Sequence, residues 1–328
     1  MSIFKLPAWV IKDIDKIRRD FLWKGPNLGS KEVRLIAWSK ITRLRDMGGW
    51  GILNLQTFNN ALLGKWWWKL TCNPNSNWAK IINANYSISD TVGVLSHTPP
   101  RNKSFFWAGV TSTLSPFRSC ITKSIRNGSS TSLWSDRWHD GLRLKDCWPD
   151  LFNDCTAPWI TIRQFTQYLN NPELLFPTST PNMLSALLEN IPDCSQTQDD
   201  VHTWTLDKSG TITIKSFYKF LIDGGTRSSL YLLSWKNHCP SKITLFCWLA
   251  GEDKILTLSN LFKKGYNFQN STDTCVLCHN ASENLQHLFI DCEFSKRIWA
   301  LFSQILEANS LPQTIPSLWT IWIPSLAP

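Results

Sequence analysis

Four potential metal donors fall within 18 residues near the end of the chain. They are Cys275, Cys278, His287 and Cys292, in the spacing Cys-x2-Cys-x8-His-x4-Cys. Two thiolates two residues apart can grip one ion from a tight turn. A histidine and a cysteine five positions apart, close to the start of the next helix, can supply the other two corners. This donor set suits tetrahedral Zn2+, and four protein ligands leave no position open for a water molecule. The site therefore reads as structural and not catalytic. Zinc bound in such a site contributes folding free energy, on the order of 10–16 kcal/mol. The alternative is chance clustering in a chain with ten cysteines. The paired spacing argues against it. His279 is adjacent to the second cysteine but breaks the pattern, and Cys239 and Cys247 read as core thiols. Residues 251–300 hold five Lys/Arg and six Asp/Glu. A module that gripped phosphates would be basic, so this one organises the local fold or a protein contact.

The rest of the chain is globular in composition. Of 328 residues, 43% are hydrophobic and 18% charged, enough for a sizeable core and two or three domains. No apolar run approaches the roughly 20 residues that span a bilayer. The N-terminal MSIFKLPAWVIKDIDK has no signal-peptide core. The expectation is an intracellular protein, nuclear or cytoplasmic, that is neither secreted nor membrane-spanning. Its cysteines are then thiols or ligands and not disulfides. The net charge of +9 is concentrated: residues 1–70 contain 13 Lys/Arg against 5 Asp/Glu, and residues 71–328 contain 21 against 20. A basic block of this kind points to a polyanion partner, RNA or DNA before others, with a merely soluble surface as the alternative.

Periodicity predicts a mainly α, α+β chain with small β-hairpins. Residues 1–70 form a basic helical segment. Val10, Ile11, Ile14, Ile17 and Phe21 recur at helical spacing after Pro7, a short strand covers Val33–Trp38, glycines at 48, 49 and 51 mark a turn, and a second helix runs from Leu55 to Leu70. Residues 71–200 are an irregular, tryptophan-rich connection. Asn127-Gly128 predicts a hairpin over 121–134, and 171–200 reads as a linker around one short helix near Met183–Leu188. Residues 201–328 form the helical zinc-binding domain, with a hairpin around the turn Asp207–Gly210 and a last helix carrying Phe294, Ile298, Phe302 and Ile305 on one face. Nineteen tryptophans call for an explanation, above all the consecutive Trp66, Trp67 and Trp68. Three neighbouring helical positions cover an arc of about 200°. Packing against different elements would hide the rings; a base-stacking platform or a docking surface would leave one exposed.

Catalytic patterns are missing. There is no GxxxxGK[ST], no strand-borne GxGxxG and no GxSxG. Asp199-Asp200 could in principle hold Mg2+, but it lies in a polar stretch and reads as a solvated loop pair. No catalytic residue and no small-molecule substrate is assigned.

Several stretches occur together in a specific order: FLWKG (21–25), IAWSKI (36–41), GGWGILNLQTFNNALLGKWWWKL (48–70), NGSSTSLWSDRW (127–138), WTLDKSGTITIKSFYKFL (204–221), WKNHCPSKITLFCWLA (235–250) and CVLCHNASENLQHLFIDCEFSKRIW (275–299). The set resembles the region that follows the polymerase core in plant-type LINE (non-LTR) retrotransposon reverse transcriptases. Its last two blocks are similar to the reverse-transcriptase zinc-binding domain. The resemblance implies zinc on Cys275, Cys278, His287 and Cys292, and a thumb-like nucleic-acid-holding role for residues 1–70. It departs from the family where catalysis would lie: the aromatic-x-Asp-Asp palm motif, the endonuclease and the ribonuclease H domain are not in the sequence. The expectation is a non-catalytic C-terminal portion of such an enzyme. The phosphate contacts fall to Lys12, Lys16, Arg18, Arg19, Lys24, Arg34, Arg43 and Arg45. The rivals are a zinc-stabilised interaction module that docks a reverse-transcriptase core, and a decayed retrotransposon product without activity.

Overall fold

A computed structural model of the chain describes residues 2–25, 34–86, 104–224, 227, 235, 240–266, 273–305 and 311–318. Over these residues the protein is mainly helical, with two two-stranded antiparallel sheets, the helix-dominated α+β class expected. Contacts divide it into two compact units, each made from two stretches: Met1–Ile14 with Leu55–Asp223, and Asp15–Asn54 with Gly224–Pro328. The boundaries suggested at 70 and 200 both fall inside the first unit.

Helix α1 (Ala8–Lys24) starts after Pro7, whose carbonyl accepts the Ile11 amide, and stops where the Gly25 amide closes on the Phe21 carbonyl. Its apolar stripe is not covered as the periodicity suggests. Ile11 is buried, whereas Ile17 and Phe21 are 69% and 71% exposed.

The first unit is built around α2 (Leu55–Cys72). Asn59, fully buried, holds the N-terminal stretch, accepting the Leu6 amide at 2.8 Å and donating to the Phe4 carbonyl at 2.9 Å. The tryptophan triplet is resolved by packing on three sides. Trp66 meets Trp78 on α3 (Asn77–Tyr86), with ring centroids 4.9 Å apart, and Phe106 on α4 (Phe105–Thr111) at 5.4 Å. Trp67 is buried against Trp107 and donates its indole N–H to the Val110 carbonyl. Trp68 lies edge-on to Trp204. Helices α3 and α4 receive Trp66, α4 also receives Trp67, and Trp204 receives Trp68, so side chains spread over more than half the helix circumference are all packed.

After α5 (Leu114–Arg118) the chain enters β1 (Ile121–Ser124). The hairpin expected over 121–134 does not form. Strands β2 (Arg137–His139) and β3 (Leu142–Arg143) pair with each other, and β1 pairs antiparallel with β4 (Val201–Trp204), Ile121 opposite Trp204 and Ser124 opposite Val201. The Asn127-Gly128 pair is diverted by a stronger acceptor brought in from far along the chain. The carboxylate of Asp200 takes the amides of Arg126, Gly128 and Ser130 at 2.8, 2.9 and 3.2 Å, and the Thr131 hydroxyl at 2.6 Å. Of the pair Asp199-Asp200, Asp199 is exposed as expected, whereas Asp200 is half-buried and engaged. Asp199 accepts from the Asn127 side chain, and Asp200 is the centre of a folded loop.

Between β1 and β4 the chain makes a core of its own from Leu133, Trp134, Leu144, Phe165, Phe176 and Leu187, each at most 1% exposed. The stretch suggested as a linker contributes Leu175, Phe176 and, on α6 (Pro181–Glu189), Leu184 and Leu187. Apolar side chains at these few positions outweigh the surrounding prolines and small polar residues. The second hairpin is likewise reduced to β4 and a turn, closed by the Trp204 amide on the Gly210 carbonyl. Thr213 caps α7 (Ile214–Ile222), and Ser216 completes a capping box from the third position. Helix α7 lies on α2 so closely that a Cβ at Gly64 would sit 2.1 Å from the Phe217 ring.

In the second unit the expected strand at Val33–Trp38 is absent. Val33 lies outside the described residues, 34–37 are irregular, and Trp38–Ile41 is a helical turn. Ile36 and Ile41 pack with Trp248 of α8 (Ser241–Gly251), whose indole N–H donates to the Gly48 carbonyl at 3.1 Å. The glycine turn is needed for close approach: a Cβ at Gly49 would lie 2.1 Å from the Arg43 carbonyl oxygen. Helix α9 (Leu258–Lys263), capped by Thr257, leads to the cysteine turn, and α10 (Glu293–Ile305) follows it. Phe294, Ile298, Phe302 and Ile305 share a face of α10 as expected, but that face is exposed. The helix is tied down by Ser295 and Trp299, which donate to the carbonyls of Leu288 and Phe289. Cys239 lies outside the described residues.

Candidate metal centre

The first two donors sit on a short turn framed by an antiparallel bridge. Thr274 pairs with Ser282, the Cys275 amide donates to the Ala281 carbonyl at 2.7 Å, and the Glu283 amide reaches the Asp273 carbonyl. Within the turn, the His279 amide closes on the Cys275 carbonyl, and His279 itself takes the left-handed conformation, φ 57°. This folding turns backbone N–H groups toward sulfur. Cys275 accepts from the amides of Leu277 and Cys278, and Cys278 accepts from Asn280. His279 thus belongs to the turn geometry and stands outside the donor cluster.

The other two donors bracket a π-helical turn, His287–Asp291. Asn284 caps it, its side-chain oxygen accepting the His287 amide at 2.8 Å, and the Cys292 amide returns to the His287 carbonyl at 2.8 Å. The wider π turn places donors five residues apart on one side and leads directly into α10. Such insertions recur at functional sites.

All four donor atoms lie within 4.8 Å of one another. A tetrahedron with metal–sulfur bonds near 2.3 Å has edges of about 3.8 Å, so the pocket is sized for one ion. The Cys278 sulfur is 3.2 Å from His287 Nε2, which identifies Nε2 as the ligating nitrogen. Cys275 and Cys292 are fully buried, and Cys278 and His287 are half-buried. Burial pushes the Cys275 thiol up. The Asn280 amide, with help from His287, brings Cys278 down to about 7. One thiol is therefore poised to ionise, and a bound cation would favour the thiolate at Cys275 against its burial. Three thiols and one imidazole with no open corner fit structural zinc.

The centre is braced by the side chain and backbone of Glu283. Its buried carboxylate accepts the Leu258 amide at 3.1 Å, at the start of α9, and its carbonyl accepts the Ser259 amide. Beneath lie Leu285, Ile290, Ala250 and Ile315.

The eight cations assigned to phosphate contacts are not equivalent. Lys12, Lys16 and Arg43 are exposed, and Lys12 and Lys16 lie four residues apart on one face of α1. Arg18 is committed within the protein: it pairs with Asp15 at 2.7 Å, donates to the Leu53 carbonyl and covers the Trp38 ring. Arg45 donates to the Trp50 carbonyl and stacks on Trp235. Lys24 and Arg34 both face Asp20, at 3.9 and 3.8 Å. Arg19 is half-buried. No described helix is long and apolar enough to cross a membrane.

Residues 212–299 match the family described as zinc-binding in reverse transcriptase. That match contains all four donors, chosen above from spacing alone. Two proteins of Arabidopsis thaliana are similar to the chain. One, named "Putative ribonuclease H protein", is 24% identical over 91% of this chain and 48% of its own length. The other, named "Uncharacterized mitochondrial protein", is 23% identical over 42% of this chain and 88% of its own length. The chain spans about half the length of the first relative, at 48%. The family match over residues 212–299 agrees with the resemblance carried by the sequence motifs there.

Proposed function

We propose that this chain, with a reverse-transcriptase-type zinc-binding domain at residues 212–299, is a non-catalytic portion of a LINE-like reverse transcriptase. In this reading it binds RNA or DNA through its basic N-terminal segment. The observation that supports binding is the local charge: 13 Lys/Arg against 5 Asp/Glu in residues 1–70, with Lys12, Lys16 and Arg43 exposed. Arg18 and Arg45 serve the fold, so they are support for the surface and not its phosphate contacts. Zinc takes no part in the phosphate chemistry; it fixes the cysteine turn against α9 and α10.

Binding of this kind neutralises phosphates and releases counterions. Its affinity falls with salt, with a slope of about −0.7 per phosphate for single strands. The test is a salt titration of fluorescent single-stranded RNA and duplex DNA on the zinc-loaded chain. Lys12→Glu, Lys16→Glu and Arg43→Glu should each weaken binding to every sequence alike and flatten the slope. A flat slope in the parent protein overturns the reading.

A protein-interaction role has one specific observation in its favour. The face of α10 bearing Phe294, Ile298, Phe302 and Ile305 is exposed, which is unusual for large apolar side chains in a row. In that reading a reverse-transcriptase core is the partner, and charge reversal on α1 leaves its docking intact.

A further inference from the structure

The basic surface of the N-terminal segment does not account for a second concentration of positive charge in the first unit. Beside the β2–β3 ladder lies a cavity of about 340 Å³, lined by Arg118, Arg137, Arg143 and Lys145 together with the hydroxyls of Ser115 and Ser135. This volume is within the range of ligand clefts. Four cations meet one carboxylate in the lining, Asp136, which is already held in the interior by Lys123 Nζ at 3.4 Å and by the Ser132 amide at 2.9 Å.

The arrangement is unfavourable as it stands. Arg137 and Arg143 are direct partners across the ladder, and like charges directly opposite each other destabilise a strand pair. Arg118 faces Arg143 closely enough for repulsion, after burial, to weaken its hold on a proton. All four cations are half-buried, so water screens them less than it would on an open surface. The Arg137 guanidinium is anchored to the Ser119 carbonyl at 3.0 Å, and Arg143 is held from outside by Asp146 at 2.7 Å. Those contacts fix the guanidinium groups in place. An anion entering the cavity relieves the repulsion and finds the forked N–H donors of Arg137 and Arg143 already held in place, with serine hydroxyls beside them.

The lining contains no aromatic ring. It has no surface on which a base could stack, which is how single strands are held through their bases. It suits a phosphate group and carries no means of reading sequence. We infer that this cavity binds a phosphate of a nucleic-acid backbone, as a second contact point besides the N-terminal segment. The inference rests on the nucleic-acid reading above and assigns it a site that the N-terminal charge does not include.

The test uses the full zinc-loaded chain with two probes, a 12-nucleotide single-stranded RNA and inorganic pyrophosphate. The variants are Arg143→Gln, Lys145→Gln and, as the conservative control, Arg143→Lys. Lys12→Glu serves as the comparison outside the cavity. Expected is a loss of RNA affinity of about tenfold for Arg143→Gln, a smaller loss for Lys145→Gln, partial rescue by Arg143→Lys, and a salt slope flatter by about 0.7 for each phosphate contact removed. Melting temperature is the control for a purely structural role. Removing Arg143 relieves its repulsion with Arg137, so Tm should hold or rise while binding falls. Unchanged RNA affinity and slope in both Gln variants, with Lys12→Glu weakened, overturns the cavity and leaves the N-terminal reading standing. Pyrophosphate binding that the Gln variants abolish, in a parent that binds no RNA, overturns the nucleic-acid assignment and leaves a site for small free phosphates.

Discussion

Asp200 offers the sharpest test of how the first unit is held together. Its carboxylate accepts the amides of Arg126, Gly128 and Ser130, and the hydroxyls of Ser130 and Thr131. Replacement by alanine removes all five bonds and orphans three amides. That of Gly128 is in a buried residue; the other two are half-buried and can recover part of their loss from water. An unsatisfied buried donor costs about 1–3 kcal/mol, and a hydrogen bond to a charged group contributes about 1.5–3. With the two half-buried donors discounted, Asp200→Ala should destabilise the unit by about 3–5 kcal/mol. The Asp200→Asn change keeps one side-chain oxygen, sufficient for Arg126 and Gly128, and sets an NH2 against the Ser130 amide. It should therefore cost less, about 1–2 kcal/mol. Hydrogen exchange followed by mass spectrometry, on peptides covering 125–132, reads the loop directly, and thermal melting reads the unit. A loss of this size corresponds to a fall in Tm on the order of 10 °C for Asp200→Ala. Parent-like protection of these amides in Asp200→Ala would refute the reasoning, as would an Asn variant less stable than the Ala variant. The pH dependence must agree. Burial opposes ionisation of Asp200, yet the amides and the Thr131 hydroxyl together hold its carboxyl below the usual range. Its stabilisation is complete above the unfolded carboxyl range and is lost as pH falls through the lower folded value.

Other outcomes follow from the same structure. The purified chain should contain about one zinc, and Cys275→Ser or Cys292→Ser should lose the metal together with the fold of the 273–305 segment, as zinc analysis and circular dichroism would show. Gly64→Ala drives a methyl group to 2.1 Å from Phe217 and should lower stability by about 1–3 kcal/mol in thermal melts. At Gly251, where nothing lies within 4 Å, the same change should be close to neutral. His202 is buried opposite Lys123, and burial followed by Lys123 lowers it to about 3. The unfolded chain takes up that proton below about pH 6.5 and the folded one does not, so stability falls from there toward pH 3 by about 3–5 kcal/mol; His202→Leu should flatten that slope in urea titrations at pH 6.5 and 4.5.

What the sequence showed was local. The donor spacing at Cys275, Cys278, His287 and Cys292 can be read because a turn and the start of a helix are sufficient to bring four donors together. The helices that begin after Pro7 and at Leu55 announce themselves by short-range spacing. Pairing decided over long separations was not legible. Asn127-Gly128 carries a hairpin signal that any local reading would accept, but the acceptor that overrides it, Asp200, lies far along the chain. The order in 171–200 depends on Leu175, Phe176, Leu184 and Leu187 finding Trp134 and Phe165; composition reports the prolines and misses the partners. The phosphate candidates fared unevenly for a similar reason. Charge along α1 is visible in sequence, whereas the engagement of Arg18 by Asp15 and Trp38, and of Arg45 by Trp235, is a property of the packed unit. The cavity around Arg143 was invisible because its four cations belong to separate elements.

The pairing of β1 with β4 also bears on how such a chain changes over time. Ser124 and Val201 face each other, so residues 125–200 leave the β1–β4 ladder and return to it at one doorway, carrying an apolar core of their own within the first unit. A segment with adjoining ends and an independent interior behaves as a cassette. Closing a longer or shorter stretch across the same doorway changes the loop entropy only slowly, by about 0.6 kcal/mol for each doubling of length. Changes of loop length within 125–200 that keep Asp136 against Lys123 should therefore leave the packing of α2 and α7 intact.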